Sequence, residues 1–133
     1  GPSLVVDAQG IRHAVWFNQK EGEGQVHYGR LLENAENPNE LRVDGQRKVG
    51  GPRAAHADMA SAAGKLAIAW KEFDGEKTQL AMLFSNDGGK NFIERSLATT
   101  DGASDQPRVI HRQDKLYVFW RTEKEGFRVI TLP

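Results

Sequence analysis

The 133-residue chain contains no cysteine, which excludes disulfides, thiolate nucleophiles and the thiol ligands of structural zinc sites. It has no excess of charge of either sign, since Lys and Arg total 18 and so do Asp and Glu. The basic stripe that marks nucleic-acid binding is missing, so no nucleic-acid partner is expected. No apolar run approaches the ~20 residues that cross a bilayer as a helix, so no membrane span is expected. A charged segment followed by an apolar one is also absent, and no signal peptide is expected within this sequence. Histidine is scarce, and no two of His13, His27, His56 and His111 stand three or four residues apart. Metal-binding pairs of the H-E-x-x-H kind are therefore missing, and neither a metal nor a cofactor is expected.

What the chain has in quantity is repetition. Ser3-Leu4-Val5-Val6-Asp7 through Gly10-Ile11-Arg12-His13-Ala14-Val15-Trp16 is an apolar run, a turn, then an alternating run that ends on tryptophan. Met59 through Gly64-Lys65-Leu66-Ala67-Ile68-Ala69-Trp70 repeats it, as does Arg108-Val109-Ile110 through Asp114-Lys115-Leu116-Tyr117-Val118-Phe119-Trp120. The three tryptophans are the only ones present and lie 54 and 50 residues apart. After each comes a polar turn with glycine and a third alternating run: Gln25 to Arg30, Gln79 to Phe84, and Phe127 to Leu132. A fourth run is readable in the first two repeats, around Glu40 to Val43 and Phe92 to Leu97. Short glycine-containing loops between alternating runs predict antiparallel hairpins, about eleven strands in all. One helical turn is conceivable over Leu31 to Glu36.

A period near 50 residues built from short strands is the mark of a β-propeller, with one four-stranded blade per repeat. The expected fold is thus all-β and a single domain, with blades over residues 1–48, 49–102 and 103–133, the last lacking its outer strand. Propellers close with roughly four to eight blades, because each blade buries its faces against two neighbours. Three blades leave two apolar faces open to water. Six blades are expected, completed by a second copy of the chain or by the remaining blades of a parent chain.

Ser85-Asn86-Asp87-Gly88-Gly89-Lys90-Asn91-Phe92 stands between the third and fourth runs of the second repeat. An aspartate there can accept hydrogen bonds from the amides that follow, a glycine can take positive φ freely, and the aromatic buries a large ring. Ser-x-Asp-x-Gly-x-x-(Trp/Phe) resembles the Asp box, or BNR repeat, of the sialidase superfamily of β-propellers. Ser85, Asp87, Gly89 and Phe92 hold its four positions. The first repeat has no such box over Arg30 to Glu40, and the third ends before one could occur. The box in that family lies on the rim away from the active site, so these four residues are expected to be structural. The resemblance also implies an extracellular or periplasmic location.

In sialidase-like propellers the functional face is lined by the loops leading into each innermost strand and by the turns joining second to third strands. By repeat phase these are Gly50 to Asp58 and Thr99 to Arg108, together with Asn18 to Glu21, Lys71 to Asp74 and Arg121 to Glu123. The candidate ligand face is then Arg53, His56, Asp58, Glu72, Asp105, Arg108 and Arg121. Guanidinium forks suit carboxylates and polyhydroxylated ligands. The resemblance implies an exo-acting glycosidase with three arginines on the substrate carboxylate, a tyrosine–glutamate nucleophile pair and an aspartate acid/base. Arg53, Arg108 and Arg121 could form the first set, Glu72 could support a nucleophile, and Asp58 or Asp105 could be the acid. The family's Arg-Ile-Pro motif is missing, however, and Tyr28 and Tyr117 lie mid-strand. The favoured expectation is therefore a non-catalytic binding or scaffold segment recognising glycan or protein. The alternative is part of a sialidase-type hydrolase whose catalytic set is completed by another chain or segment. His13 and His27 fall at similar heights of adjacent strands and could form a cross-strand pair, and the tryptophans are expected between blades.

Overall fold

Strict alternation sets the strands. In the run Lys65–Phe73, Leu66, Ile68 and Trp70 point to one face, Ala67 and Ala69 to the other, and all five are buried. Such a strand needs an apolar layer on both sides. The computed structural model, which describes residues 2–20 and 23–133, provides those layers. It is all-β, with eleven antiparallel strands in three open sheets and no helix among the described residues.

The first sheet holds β1 (Ser3–Val6), β2 (Arg12–Lys20), β3 (Glu23–Glu33) and β4 (Leu41–Val49) in chain order. The second holds β5 (Ala55–Ala62), β6 (Lys65–Phe73), β7 (Thr78–Ser85) and β8 (Ile93–Thr100). The third holds β9 (Arg108–Arg112), β10 (Lys115–Thr122) and β11 (Gly126–Thr131), which leaves β11 as a free edge. The strands are longer than alternation alone suggested: Leu31 to Glu33 finish β3 rather than turning into a helix. Ala55 to Asp58 are a bulged start of β5, where the pairing with β6 slips. The tip of the β2–β3 hairpin, Glu21 and Gly22, lies outside the described residues.

The sheets stack in chain order, with β5 beside both β1 and β9. Between the first and second sheets, Val15, Val26, Tyr28 and Val49 meet Met59, Leu66, Ile68, Trp70 and Leu83. Between the second and third, Ala67, Ala69, Leu80, Met82 and Phe84 meet Val109, Leu116, Val118 and Trp120. Full burial of each such aliphatic side chain stabilises the fold by about 1.5–3 kcal/mol.

The tryptophans keep one phase. Trp70 faces back toward the first sheet and Trp120 back toward the second, each 1% exposed. Trp16 faces back too, away from the second sheet, and stacks on His27 with ring centroids 5.7 Å apart. His27 pairs with Trp16 in the register and His13 with Arg30. The two histidines therefore lie on opposite faces of the first sheet, and the expected cross-strand pair does not form.

Candidate functional site

At one end of the sheets the β7–β8 turn meets the β1–β2 turn. Ser85 Oγ donates to Asp87 Oδ1 at 2.7 Å and accepts the Gly89 amide at 2.9 Å. Asp87 Oδ1 also accepts the amides of Lys90 and Asn91 at 3.2 and 2.9 Å, and Oδ2 takes the Asn91 side-chain amide at 2.8 Å. Led by the Asn91 amide, these bonds hold the Asp87 carboxyl at about 2. Gly89 has φ +83°, and a Cβ there would fall on the Tyr28 hydroxyl. Phe92 stands edge-on to Tyr28 at 5.1 Å, with the Arg47 guanidinium 5.1 Å above its ring. The Ser85–Phe92 turn thus fastens the second sheet to the first.

Beneath it runs a chain that alternation could not foretell. Tyr28 Oη lies 2.8 Å from His13 Nδ1, and His13 Nε2 lies 2.8 Å from Asp7 Oδ2. Asp7 Oδ1 accepts the amides of Gln9 and Ile11 at 2.9 and 3.0 Å. Burial opposes ionisation of Asp7, yet the His13 bond and the two amides outweigh it and hold the carboxyl below its ordinary range. Burial pushes the Tyr28 phenol up to about 12. An ionised Asp7 only accepts, so His13 donates from Nε2 and, when neutral, receives the Tyr28 hydroxyl proton at Nδ1. Both ring nitrogens of His13, the Tyr28 hydroxyl and both Asp7 oxygens are thus engaged within the protein.

The opposite end carries the loops leading into β5 and β9 and the β2–β3, β6–β7 and β10–β11 turns. An open hollow of about 470 Å³ lies there, lined by Val15, Trp16, Phe17, Val26, His56 and Ala57. His56 sits in the β5 bulge with φ +55° and an exposed ring. A non-glycine residue in that conformation stores about 1 kcal/mol or more of strain, a common feature of binding loops.

The other candidate residues form separate groups. Asp58 Oδ2 accepts the Val109 amide at 2.8 Å and Arg108 Nε at 3.4 Å, tying β5 to β9. Asp105 and Arg121 make a two-pronged pair at 2.9 and 3.2 Å, and the Asp105 carbonyl takes the Trp120 indole at 3.0 Å. Glu72 accepts the Gly51 amide at 3.0 and 3.1 Å and the Trp70 indole at 3.0 Å. Arg53 lies over the Phe73 ring at 5.8 Å. Of the seven, His56 lines the first hollow and Glu72 a second one of about 430 Å³. Tyr28 is at the far end and Tyr117 is in the middle of β10. Among the described residues no group of three or more His, Cys, Asp or Glu side chains is placed to hold a metal. Among the same residues no helix is long and apolar enough to cross a membrane.

Phe17 was not among the residues singled out by sequence, although it follows the repeat tryptophan directly and is half exposed. No protein-family model matches the chain, nor does any curated protein or solved structure.

Proposed function

We propose that the chain is three blades of a sialidase-like β-propeller and serves as a non-catalytic binding segment, taking a glycan at the loop end. One observation carries the reading: the candidate carboxylates there are already engaged. Glu72 holds Gly51 and Trp70, Asp58 holds Val109 and Arg108, and Asp105 holds Arg121. Sialidase-type hydrolysis replaces the second carboxylate with a tyrosine nucleophile, and Tyr28 lies at the far end of the sheets and Tyr117 in the middle of β10. A binding site needs only a shaped apolar surface with polar groups at its rim. Phe17 and His56 line the hollow together with apolar Val15, Val26 and Ala57, and the exposed Arg108 and Arg121 belong to the same end of the sheets.

The propeller reading is supported by the in-phase tryptophans, the stacking of successive sheets and the single Asp box. A glycan array followed by titration of the hits against intrinsic fluorescence tests the function. Saturable binding that Phe17→Ala weakens at least tenfold is the expected result. Capture of a protein and no sugar would move the ligand class to protein. Release of a fluorogenic sialoside by the chain, abolished by Arg108→Ala, would replace binding with the hydrolase reading.

A further inference from the structure

The second hollow, of about 430 Å³, opens where β4 ends beside β6, β7 and β8. Trp70, Ala81 and Ser96 are register neighbours across those three strands, and all three line it. The polar lining is of two kinds. One kind is fixed within the protein. Ser96 Oγ donates to Gln79 Oε1 at 2.6 Å, and Gln79 Nε2 donates to Asp74 Oδ2 at 2.9 Å. Asp74 Oδ1 accepts the amides of Glu76 and Lys77 at 2.9 and 2.8 Å. Glu72 is held by the Gly51 amide and the Trp70 indole, while Gln25 Nε2 donates to the Gly50 carbonyl at 3.4 Å.

The other kind is uncommitted. Lys48, Glu94 and Arg95 line the same hollow and are exposed. None of the ion pairs among the described residues involves any of the three. The charges of the lining interleave, with Lys48 and Arg95 set against Glu72, Asp74 and Glu94. Neither an anion nor a cation meets a field of one sign there. A neutral hydroxyl both donates and accepts, so it can use ammonium, guanidinium and carboxylate groups alike. Acceptors already held in place lower the ordering cost of binding. The volume falls within the ~300–1,000 Å³ of small-ligand sites.

We propose that this hollow is a second ligand site, separate from the one at Phe17, and that it takes a neutral sugar ring. The ring's apolar face lies toward Trp70 and Ala81, and its hydroxyls bond Ser96, Glu94, Lys48 and Arg95. The segment from Gly50 to Ala57 borders both hollows, with Gly50 and Gly51 on this one and His56 and Ala57 on the first. The two hollows have no lining residue in common, so either can lose its ligand without the other.

NMR titration of the isotope-labelled chain with methyl β-glucoside, methyl β-galactoside and methyl α-mannoside tests the proposal. The Trp70 indole N–H, which bonds Glu72 in the hollow, is the reporter. At least one of the three glycosides should shift it saturably, together with the Gly51 amide and the Gln79 side-chain amide. The charged counterparts of that sugar, carrying an amine or a carboxylate, should bind more weakly. Ser96→Tyr fills the hollow from an exposed strand position and should abolish the shift, with circular dichroism checking that the fold is kept. Lys48→Ala and Glu94→Ala should each weaken binding about fivefold, as expected for losing a bond to a charged group. No saturable shift at Trp70, a shift that survives Ser96→Tyr, or tighter binding of a charged counterpart would each overturn the proposal. Shifts confined to Val15, Phe17 and Val26 would leave the first hollow its ligand and overturn this second site.

Discussion

The two ends of the sheets use the same residue types to opposite effect. At the end carrying the Ser85–Phe92 turn, Asp7, His13 and Tyr28 form one hydrogen-bonded chain, with His13 and Tyr28 fully buried, and Asp87 is bonded within the turn itself. At the loop end, Asp105 with Arg121 and Asp58 with Arg108 are pairs whose arginines reach into water. Buried polar groups left unpaired are costly, so the first arrangement specifies one geometry. Exposed ion pairs fix their surroundings less, and both arginines keep guanidinium donors beyond those given to Asp58 and Asp105. One end is a fastener and the other a contact surface.

The comparison is broken most sharply at Gly89. Alanine there meets the Tyr28 hydroxyl and must also hold φ +83°. Left-handed strain and overpacking together should cost about 3 kcal/mol or more. Gly88→Ala is the control, since it has φ +73° but only Ile11 Cδ1 at 4.0 Å, and strain alone costs about 1–2 kcal/mol. Urea unfolding of the two variants measures the difference. Equal losses would mean that the box does not depend on its seat against the first sheet.

Tyr28→Phe comes next. It keeps the ring against Phe92 and strands His13 Nδ1 without a partner in a buried position, at a cost of about 1–3 kcal/mol. It also carries a pH signature. The Tyr28 phenol titrates near 10 ordinarily and at about 12 in the folded chain. The folded protein holds this proton more tightly than the unfolded chain, so the contribution is whole below pH 10 and lost as pH rises through about 12. The variant should lose that part of the alkaline destabilisation, as read from unfolding midpoints across the range.

How much of this was legible in the sequence depends on how far apart the interacting residues lie. The hairpins were readable because alternation and turn glycines are local, and the Ser85–Phe92 turn because its donors and acceptors fall within eight residues. The Asp7–His13–Tyr28 chain was not, since it depends on the register that sets His13 opposite Arg30 and on a sheet contact with Gly89, 61 residues beyond Tyr28. Repeat phase assigned the candidate charges to loops, whereas Asp58, Glu72, Arg108 and Arg121 fall within strands, and their pairing was not legible because Asp58 meets Arg108 only once β5 lies beside β9. His56, expected in a loop, lies in the bulged start of β5, and its positive φ goes with that bulge, which alternation does not report.

Acid should reveal the fastener from the other side. Asp87 ordinarily titrates at 3.8 and here at about 2, held down by the Asn91 amide and side chain and by Ser85. The folded state prefers the ionised form, so its contribution is full above pH 4 or so and disappears as pH falls through about 2. Asp74 behaves alike at the β6–β7 turn of the loop end, held at about 2 by the amides of Lys77 and Glu76. Asp87→Asn should remove part of the acid destabilisation and also loosen the join between sheets. Asp74→Asn should remove a similar part while leaving that join intact, as amide hydrogen exchange across β1–β3 would show.

The smallest effect on stability is expected at Arg121. Its guanidinium is largely in water and bonds only Asp105. The loop it touches is held independently, by the Trp120 indole on the Asp105 carbonyl and by the backbone bond from the Asp105 amide to the Arg121 carbonyl. Arg121→Ala should therefore leave the unfolding midpoint where it is, while removing an exposed guanidinium from the loop end. If the loop end is a contact surface, ligand affinity falls and its salt dependence weakens with stability untouched. A loss of stability comparable to that of Tyr28→Phe would instead make the Asp105–Arg121 pair a second fastener, and the contrast between the two ends would disappear.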